Sequence, residues 1–265
     1  MALIKTTEGN EYHIDDKLLQ EIETKVKPAL TKQDKDICFL VDGQEASGKS
    51  WFAIQLAKAV DPSFNIDRIC FTSEEFRDAI LTAEKFQAII FDEAFVGLSS
   101  RSSLSDTNQM LVSLMMQCRQ KNLFLLVVLP SFFLLDKYAA LWRSRGLFHI
   151  VETARGRRMW VFYDRRNKEL LYLYGKKTYD YKYPKSYFRG WFYNKFALGE
   201  EAEINYRKKK EEALMNVKRL TRKEKATNER NNMIKRLHRQ GKTIQELEDL
   251  TGLKKSIIYA IVGDE

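Results

Sequence analysis

Cysteine is scarce in this chain: Cys38, Cys70 and Cys118 are the only three among 265 residues. Their number is odd, each lies inside an apolar segment and none has metal-ligand spacing, which argues against a disulfide framework or a cysteine-held metal. Long apolar runs are equally lacking. The longest, Leu123 to Leu129, has the length of a strand, well short of the roughly 18 residues that a membrane-spanning helix needs. The opening MALIKTTEGNEYHIDD contains no signal-peptide apolar core. Together these absences predict a protein without membrane insertion, in a reducing, cytoplasmic setting. No internal repeat is detectable.

Charge is present, and unevenly. The formal net charge is +9, yet Arg207 to Lys242 alone holds fourteen Lys or Arg against four Glu, a local balance of 14 − 4 = +10. The excess is thus confined to one arm with helical patterning, which either meets an anionic partner or is a solvated surface. Just before it, Tyr179 to Phe196 (YDYKYPKSYFRGWFYNKF) interleaves aromatic and basic residues. Such a stretch either stacks single-stranded bases or packs as an aromatic cluster.

The residues Gly43, Gln44, Glu45, Ala46, Ser47, Gly48, Lys49 and Ser50 fit G-x-x-x-x-G-K-[ST] at every fixed position. Ile37 to Val41 before them reads as a buried strand and Ser50 to Val60 after them as a helix with Trp51, Ile54, Leu56 and Ala57 available to a core. This is the context in which backbone N–H groups and a helix N-terminus cradle phosphates. Lys49 is expected to neutralise the β- and γ-phosphates of ATP, and Ser50 to place its hydroxyl on Mg²⁺. Gly43 to Trp51 are the nucleotide-binding residues that this spacing predicts.

Further strands are expected at Arg68 to Thr72, Phe86 to Phe91, Leu123 to Leu129 and Leu147 to Glu152. Helices are expected from Asp16 to before Pro28, from a Ser73 cap to Ala83, and over Ser131 to Leu141. A helix with the apolar face Leu111, Leu114, Met115 and Cys118 follows a Ser-rich stretch, Gly97 to Asn108. Alternation of strands and helices predicts an α/β fold, a mainly parallel sheet with helices on both faces. The segments MWVFYD and LLYLYG around Arg166, Asn167 and Lys168 read as a β-hairpin.

The Phe86 to Phe91 strand delivers Asp92 and Glu93 to its carboxyl end. Asp92 joins Ser50 as the expected metal holder, and Glu93 is the expected general base for water, although an Asp-Glu pair can also simply end a strand. Ser131 is either a polar sensor of the γ-phosphate or the N-cap of the next helix. Arg119, Arg143 and Arg145, expected near the carboxyl edge of the sheet, are candidates to stabilise transition-state charge on a neighbouring subunit's ATP, which predicts a homo-oligomer, and Arg101 is one for a nucleic-acid backbone; a solvated surface position is the other reading for each of the three.

At the C-terminus, Asn232 to Gln240, Ile244 to Leu250 and Lys254 to Val262 read as three helical segments. Thr243 and Glu246 form a capping box, Gly252 makes a turn, and Leu237, Ile244, Leu247, Leu250, Leu253, Ile257 and Ile258 offer a small core. The pattern resembles a helix-turn-helix of resolvase or sigma-like type. That resemblance implies that Lys254, Lys255, Ser256 and Tyr259 face a DNA major groove. A helical oligomerisation or protein-binding module is the other reading.

Residues 36 to about 163 resemble the FtsK/HerA-type branch of P-loop motor ATPases, which includes viral genome-packaging ATPases and the Zot-like proteins of filamentous phages. The resemblance rests on the P-loop, the Asp92-Glu93 strand end and VVLPSFFLLDKYAALWRSRG. It implies ATP hydrolysis in the additional-strand, catalytic-glutamate manner and rings acting on double-stranded DNA, in the host cytoplasm if the source is viral. A departure occurs at Leu129, Pro130 and Ser131, where family members commonly end the strand in glutamine. The resulting expectation is a P-loop ATPase domain over 1 to 200, a basic linker over 201 to 230 and a helix-turn-helix over 231 to 265, forming a DNA motor or remodelling ATPase. A nucleotide-switched DNA-binding regulator, a partner-dependent helicase loader and a small-molecule kinase are the alternatives.

Overall fold

The computed structural model describes residues 1–92, 121–135, 137–186 and 188–263, with the side chains of 216–225 and 228–229 outside that description. Glu93, Arg101, the Ser-rich stretch and the segment from Leu111 to Arg119 therefore lie outside the described residues. Two compact units are present, Met1–Ala213 and Leu214–Glu265.

The first unit is built on a seven-stranded sheet. In chain order its strands are β3 (Ile37–Gly43), β4 (Ile69–Cys70), β5 (Ala88–Phe91), β6 (Phe124–Val128), β7 (Gly146–Glu152), β8 (Arg158–Tyr163) and β9 (Arg189–Phe192). The spatial order is β4-β5-β6-β3-β7-β8-β9, parallel from β4 to β7 and antiparallel at β8 and β9. β1 (Ala2–Lys5) and β2 (Glu11–Ile14) form a separate antiparallel pair.

Unbroken apolar runs make the central strands because both faces of the sheet are covered. Phe39, Val41, Phe124 and Leu126 pack with Phe52 and Leu56 of α3 (Lys49–Val60) and Leu18 of α1 (Asp16–Glu21). The alternate residues Cys38, Leu40, Leu125 and Val127 pack with Phe76 and Ile80 of α4 (Ser73–Thr82) and with Leu171 of α5 (Arg165–Gly175) on the other face. The period of two thus sends neighbours to opposite cores, as a doubly covered sheet requires. From 179–196, Phe192 and Phe196 join the first core, while Tyr179, Tyr183 and Tyr193 are exposed.

Several local expectations need correction. LLYLYG is not a strand but the body of α5: Asp164 caps it by accepting from the Asn167 N–H at 2.9 Å, and Lys168, Leu171, Tyr172 and Gly175 bury one helical face. Aromatic content suggested a strand, but the i, i+3, i+4, i+7 burial spacing is that of a helix. The hairpin is instead β7 to β8, turning at Thr153, which accepts from Gly156 N–H at 2.8 Å. Helix also continues past Pro28, through a π-turn at Ile22–Val26 and α2 (Lys27–Thr31); the widened turn, in which Lys27 N–H reaches the Ile22 carbonyl, accommodates a residue that cannot donate. Thr72, not Ser73, caps α4, with Glu75 returning to the Phe71 N–H at 2.8 Å. Ser131 to Leu141 forms a 3-10 turn, Phe132–Leu134, and a π-turn, Ala139–Arg143, rather than one helix.

Lys168 is fully buried, donating to the carbonyl and hydroxyl of Ser144. Burial pushes its ammonium down to about 7, with nearby Arg165 acting in the same direction. A lysine neutralised by folding makes the unfolded chain the stronger proton binder between pH 7 and the ordinary value near 10.5, so this group lets stability rise with pH across that window. In Lys168→Met that contribution disappears. Denaturant unfolding of both proteins at pH 7 and pH 10 should show wild type gaining about 3 kcal/mol relative to the variant as pH rises.

The long helix α6 (Glu200–Arg239) begins in the first unit and ends in the second, so the division falls inside it. The second unit also holds α7 (Ile244–Thr251) and α8 (Lys255–Val262). The Thr243–Glu246 capping box is formed, and Gly252 ends α7 with a left-handed residue. The small core consists of Ile234, Leu247 and Ile258, with Leu237, Ile244, Leu253, Ile261 and Val262 packed against it. Leu250 and Ile257, expected in that core, are exposed at 64% and 44%. On α8 the buried arc follows Ile258, Ile261 and Val262, and Ile257 falls a residue outside it.

Candidate functional site

The carboxyl ends of β3, β5 and β6 bring the candidate nucleotide site together. β3 runs straight into the loop at Gly43, whose φ is +142° and where a Cβ would stand 2.3 Å from the Ile150 carbonyl oxygen of β7. Gly48 starts α3 with φ +92°, and a Cβ there would lie 2.7 Å from Asn194 Oδ1. Gln55 holds the 193–195 segment in place by donating to the Tyr193 and Lys195 carbonyls, each at 2.7 Å. Arg158 of β8 donates to the Ala46 carbonyl at 3.2 Å and braces the loop from outside. Gly43 is therefore demanded by a backbone neighbour as well as by its conformation, and Gly48 by its positive φ.

Within the loop Lys49 Nζ donates to the carbonyls of Gly43 at 2.8 Å and Gln44 at 2.7 Å, so the ammonium is centred on the concave side. Ser50 Oγ donates to Asp92 Oδ1 at 3.0 Å, joining the start of α3 to the end of β5. These groups border a cavity of about 680 Å³ that also reaches Glu45, Trp51 and Asn194. Ser50 and Asp92 suit Mg²⁺ bound with a nucleotide: one hydroxyl and one carboxylate, leaving the remaining positions to phosphate oxygens and water. Among the described residues there is no cluster of three or more His, Cys, Asp or Glu that could hold a metal ion.

Sequence reasoning missed the groups that arrive from far along the chain. Tyr206 of α6, 1% exposed, donates its hydroxyl to Asp92 Oδ2. Its ring meets Trp51 edge-on at 5.3 Å, and Arg207 and Lys210 border the same cavity as Lys49. A second buried network lies behind the loop. Asp42 is wholly buried; its carboxylate meets His149 Nδ1 at 2.8 Å and accepts from the Phe132 N–H at 2.8 Å and from the Tyr181 hydroxyl. Tyr181 stacks on His149 at 3.7 Å. Burial, and then the Asp42 charge, push the Tyr181 phenol upward, so it remains a donor. This clamp ties the ends of β3, β6 and β7 and fixes where the loop departs. No local pattern advertises it, because its four members come from four separate segments.

Ser131 accepts from the Phe133 N–H at 3.3 Å as the cap of the 3-10 turn, and borders a smaller cavity of about 300 Å³ beside Gly43, Gln44 and Tyr181. The N-cap role is thus formed in the structure. Arg143 and Arg145 precede β7, and the Arg145 N–H bonds the Cys38 carbonyl at the start of β3. They occupy the amino edge of the sheet, opposite the loop, correcting the expectation that they stand at its carboxyl edge. A cavity of about 830 Å³ opens there, away from Lys49 and Asp92. Glu93 and Arg119 lie outside the described residues. In the second unit Lys254, Lys255, Ser256 and Tyr259 are all exposed.

Fold and loop together define a P-loop NTPase fold, an α/β sheet with helices on both faces and the G-x-x-x-x-G-K-S turn between β3 and α3. No family model matches the sequence, and no curated protein matches it. Among solved structures, the chain is similar to the N-terminal domain of zonular occludens toxin from Neisseria meningitidis, with 16% identity, 49% of this chain and 84% of that chain covered, and a TM-score of 0.33. It is also similar to a KaiC-like protein from Pyrococcus horikoshii OT3, with 13% identity, coverage of 50% and 80%, and a TM-score of 0.36. No helix among the described residues is long and apolar enough to cross a membrane.

Proposed function

We propose that this chain hydrolyses MgATP and couples hydrolysis to work on double-stranded DNA, as a packaging, translocation or transfer ATPase. The observation that carries the ATPase reading is the Ser50–Asp92 contact at 3.0 Å beside Lys49 in one cavity. Lys49 holds the β- and γ-phosphates, Ser50 and Asp92 orient the metal that accompanies them, and Glu93, next in the chain, accepts the proton of the attacking water. Strand order supports the same class: β6 stands between the P-loop strand β3 and the Asp92 strand β5. An inserted strand of this kind is the feature of ATPases of the additional-strand type.

DNA action is argued from charge and from the second unit. The basic arm supplies sequence-independent, salt-dependent affinity, and α7 and α8 act as a helix-turn-helix with Lys254, Lys255, Ser256 and Tyr259 on the DNA side. Assembly into a homo-oligomeric ring belongs to the same reading.

The test is ATP hydrolysis with and without double-stranded DNA at low and moderate salt. Strong stimulation that fades with salt is expected; a slow rate indifferent to DNA would move the assignment to a nucleotide-switched regulator or a partner-dependent loader. Replacing both Lys254 and Lys255 by Ala should weaken duplex binding and flatten the dependence of log affinity on log salt by about 2. An unchanged slope would remove α8 from the DNA interface.

A further inference from the structure

We infer that Arg207 supplies, from within its own chain, the cation that neutralises the γ-phosphate during hydrolysis. This deepens the ATPase reading and rests on it. The start of α6 is pinned beside the nucleotide cavity by four contacts inside the first unit. Tyr206 bonds Asp92, its ring packs on Trp51 at 5.3 Å and on Phe71 at 5.5 Å, and Lys209 Nζ donates to the Ile69 carbonyl at 2.7 Å. With Tyr206 so anchored, the next residue has a fixed origin. The Arg207 guanidinium lies 5.6 Å from the Trp51 ring centroid and borders the cavity that holds Lys49, Ser50 and Asp92. One turn further on, Lys210 borders it too.

Arg207 is paired with Glu203 at 2.6 Å, an i, i+4 contact in which the arginine side chain is 65% exposed. Exposed pairs of this kind hold little net energy. A phosphate offers a forked guanidinium two parallel charge-assisted bonds, so exchanging Glu203 for phosphate is favourable. In the reaction the water oxygen bonds the γ-phosphorus as the bond to the β,γ-bridging oxygen breaks. ADP leaves with that electron pair, the water proton passes to the base, and Arg207 offsets charge on the γ-oxygens. Arg207 is then a catalytic residue acting in cis, while Tyr206 is its positioning residue.

The experiment compares full-length wild type, Arg207→Ala, Arg207→Lys and Lys49→Ala in MgATP hydrolysis, and in titrations with ADP and a non-hydrolysable ATP analogue. Arg207→Ala should lose at least about 100-fold in kcat. It should keep wild-type ADP affinity while losing the preference for the triphosphate analogue, and Arg207→Lys should recover only part of the rate. Mixing Arg207→Ala with Lys49→Ala should restore nothing, since neither chain then holds both groups. Wild-type hydrolysis by Arg207→Ala overturns the proposal, and so does recovery on mixing, which would place the arginine in trans. Failure of wild type itself to bind either nucleotide overturns the ATPase reading along with it; intact binding, abolished by Lys49→Ala, with no effect at Arg207 overturns this proposal alone.

Discussion

Lys49→Ala is expected to lower ATP hydrolysis by at least about 100-fold and to weaken triphosphate binding strongly. The reason is geometric. The Lys49 ammonium is held by two carbonyls of its own loop, at 2.8 and 2.7 Å, on the concave side that faces the cavity. No other side chain of the octapeptide carries positive charge. Alanine leaves the backbone cradle but removes the cation that balances the phosphate oxygens. Steady-state hydrolysis and calorimetric titration with ATP check this. A variant that hydrolyses ATP at the wild-type rate would remove the loop from the catalytic site.

Gly43→Ala is expected to be the most damaging single change in the loop for stability, at about 3 kcal/mol or more, with nucleotide binding lost alongside. The new Cβ would lie 2.3 Å from the Ile150 carbonyl oxygen, which is backbone in the paired strand β7 and cannot turn aside as a side chain would. The φ of +142° adds strain that alanine rarely adopts. Relief requires β3 and β7 to part, and that also disturbs the Asp42–His149 contact beside them. Chemical unfolding followed by far-UV circular dichroism measures the loss. A stability equal to wild type would show that the strand end can relax without cost.

The two predictions differ in how far the sequence alone supports them. The role of Lys49 follows from an octapeptide in which spacing and residue type are the whole signal, and β3 and α3 around it formed where periodicity and apolar content placed them. The Asp92 strand was equally legible, as an apolar run ending in an acid. Where reading failed, two effects compete within one segment. Residues 165–175 carry aromatic, strand-like composition, yet an Asp164 cap and a buried helical face decide for helix. Pro28 reads as a stop because a proline interrupts regular hydrogen bonding, but a π-turn absorbs the interruption.

By itself the sequence determined the loop, its flanking strand and helix, the Ser50 and Asp92 candidates and the capping box at Thr243, since each is encoded by residues a few positions apart. Tertiary structure alone decided the strand order, with β6 inserted between β3 and β5, and the opposite placement of Arg143 and Arg145. It also decided that Tyr206 meets Asp92 across 114 residues and that Tyr181 meets Asp42 across 139. Such contacts leave no periodic trace, because a single buried hydroxyl satisfies a carboxylate wherever in the chain it originates. Burial without a partner is costly for a carboxylate, so the fold had to supply these donors, and only the packed sheet and helix fix which ones they are.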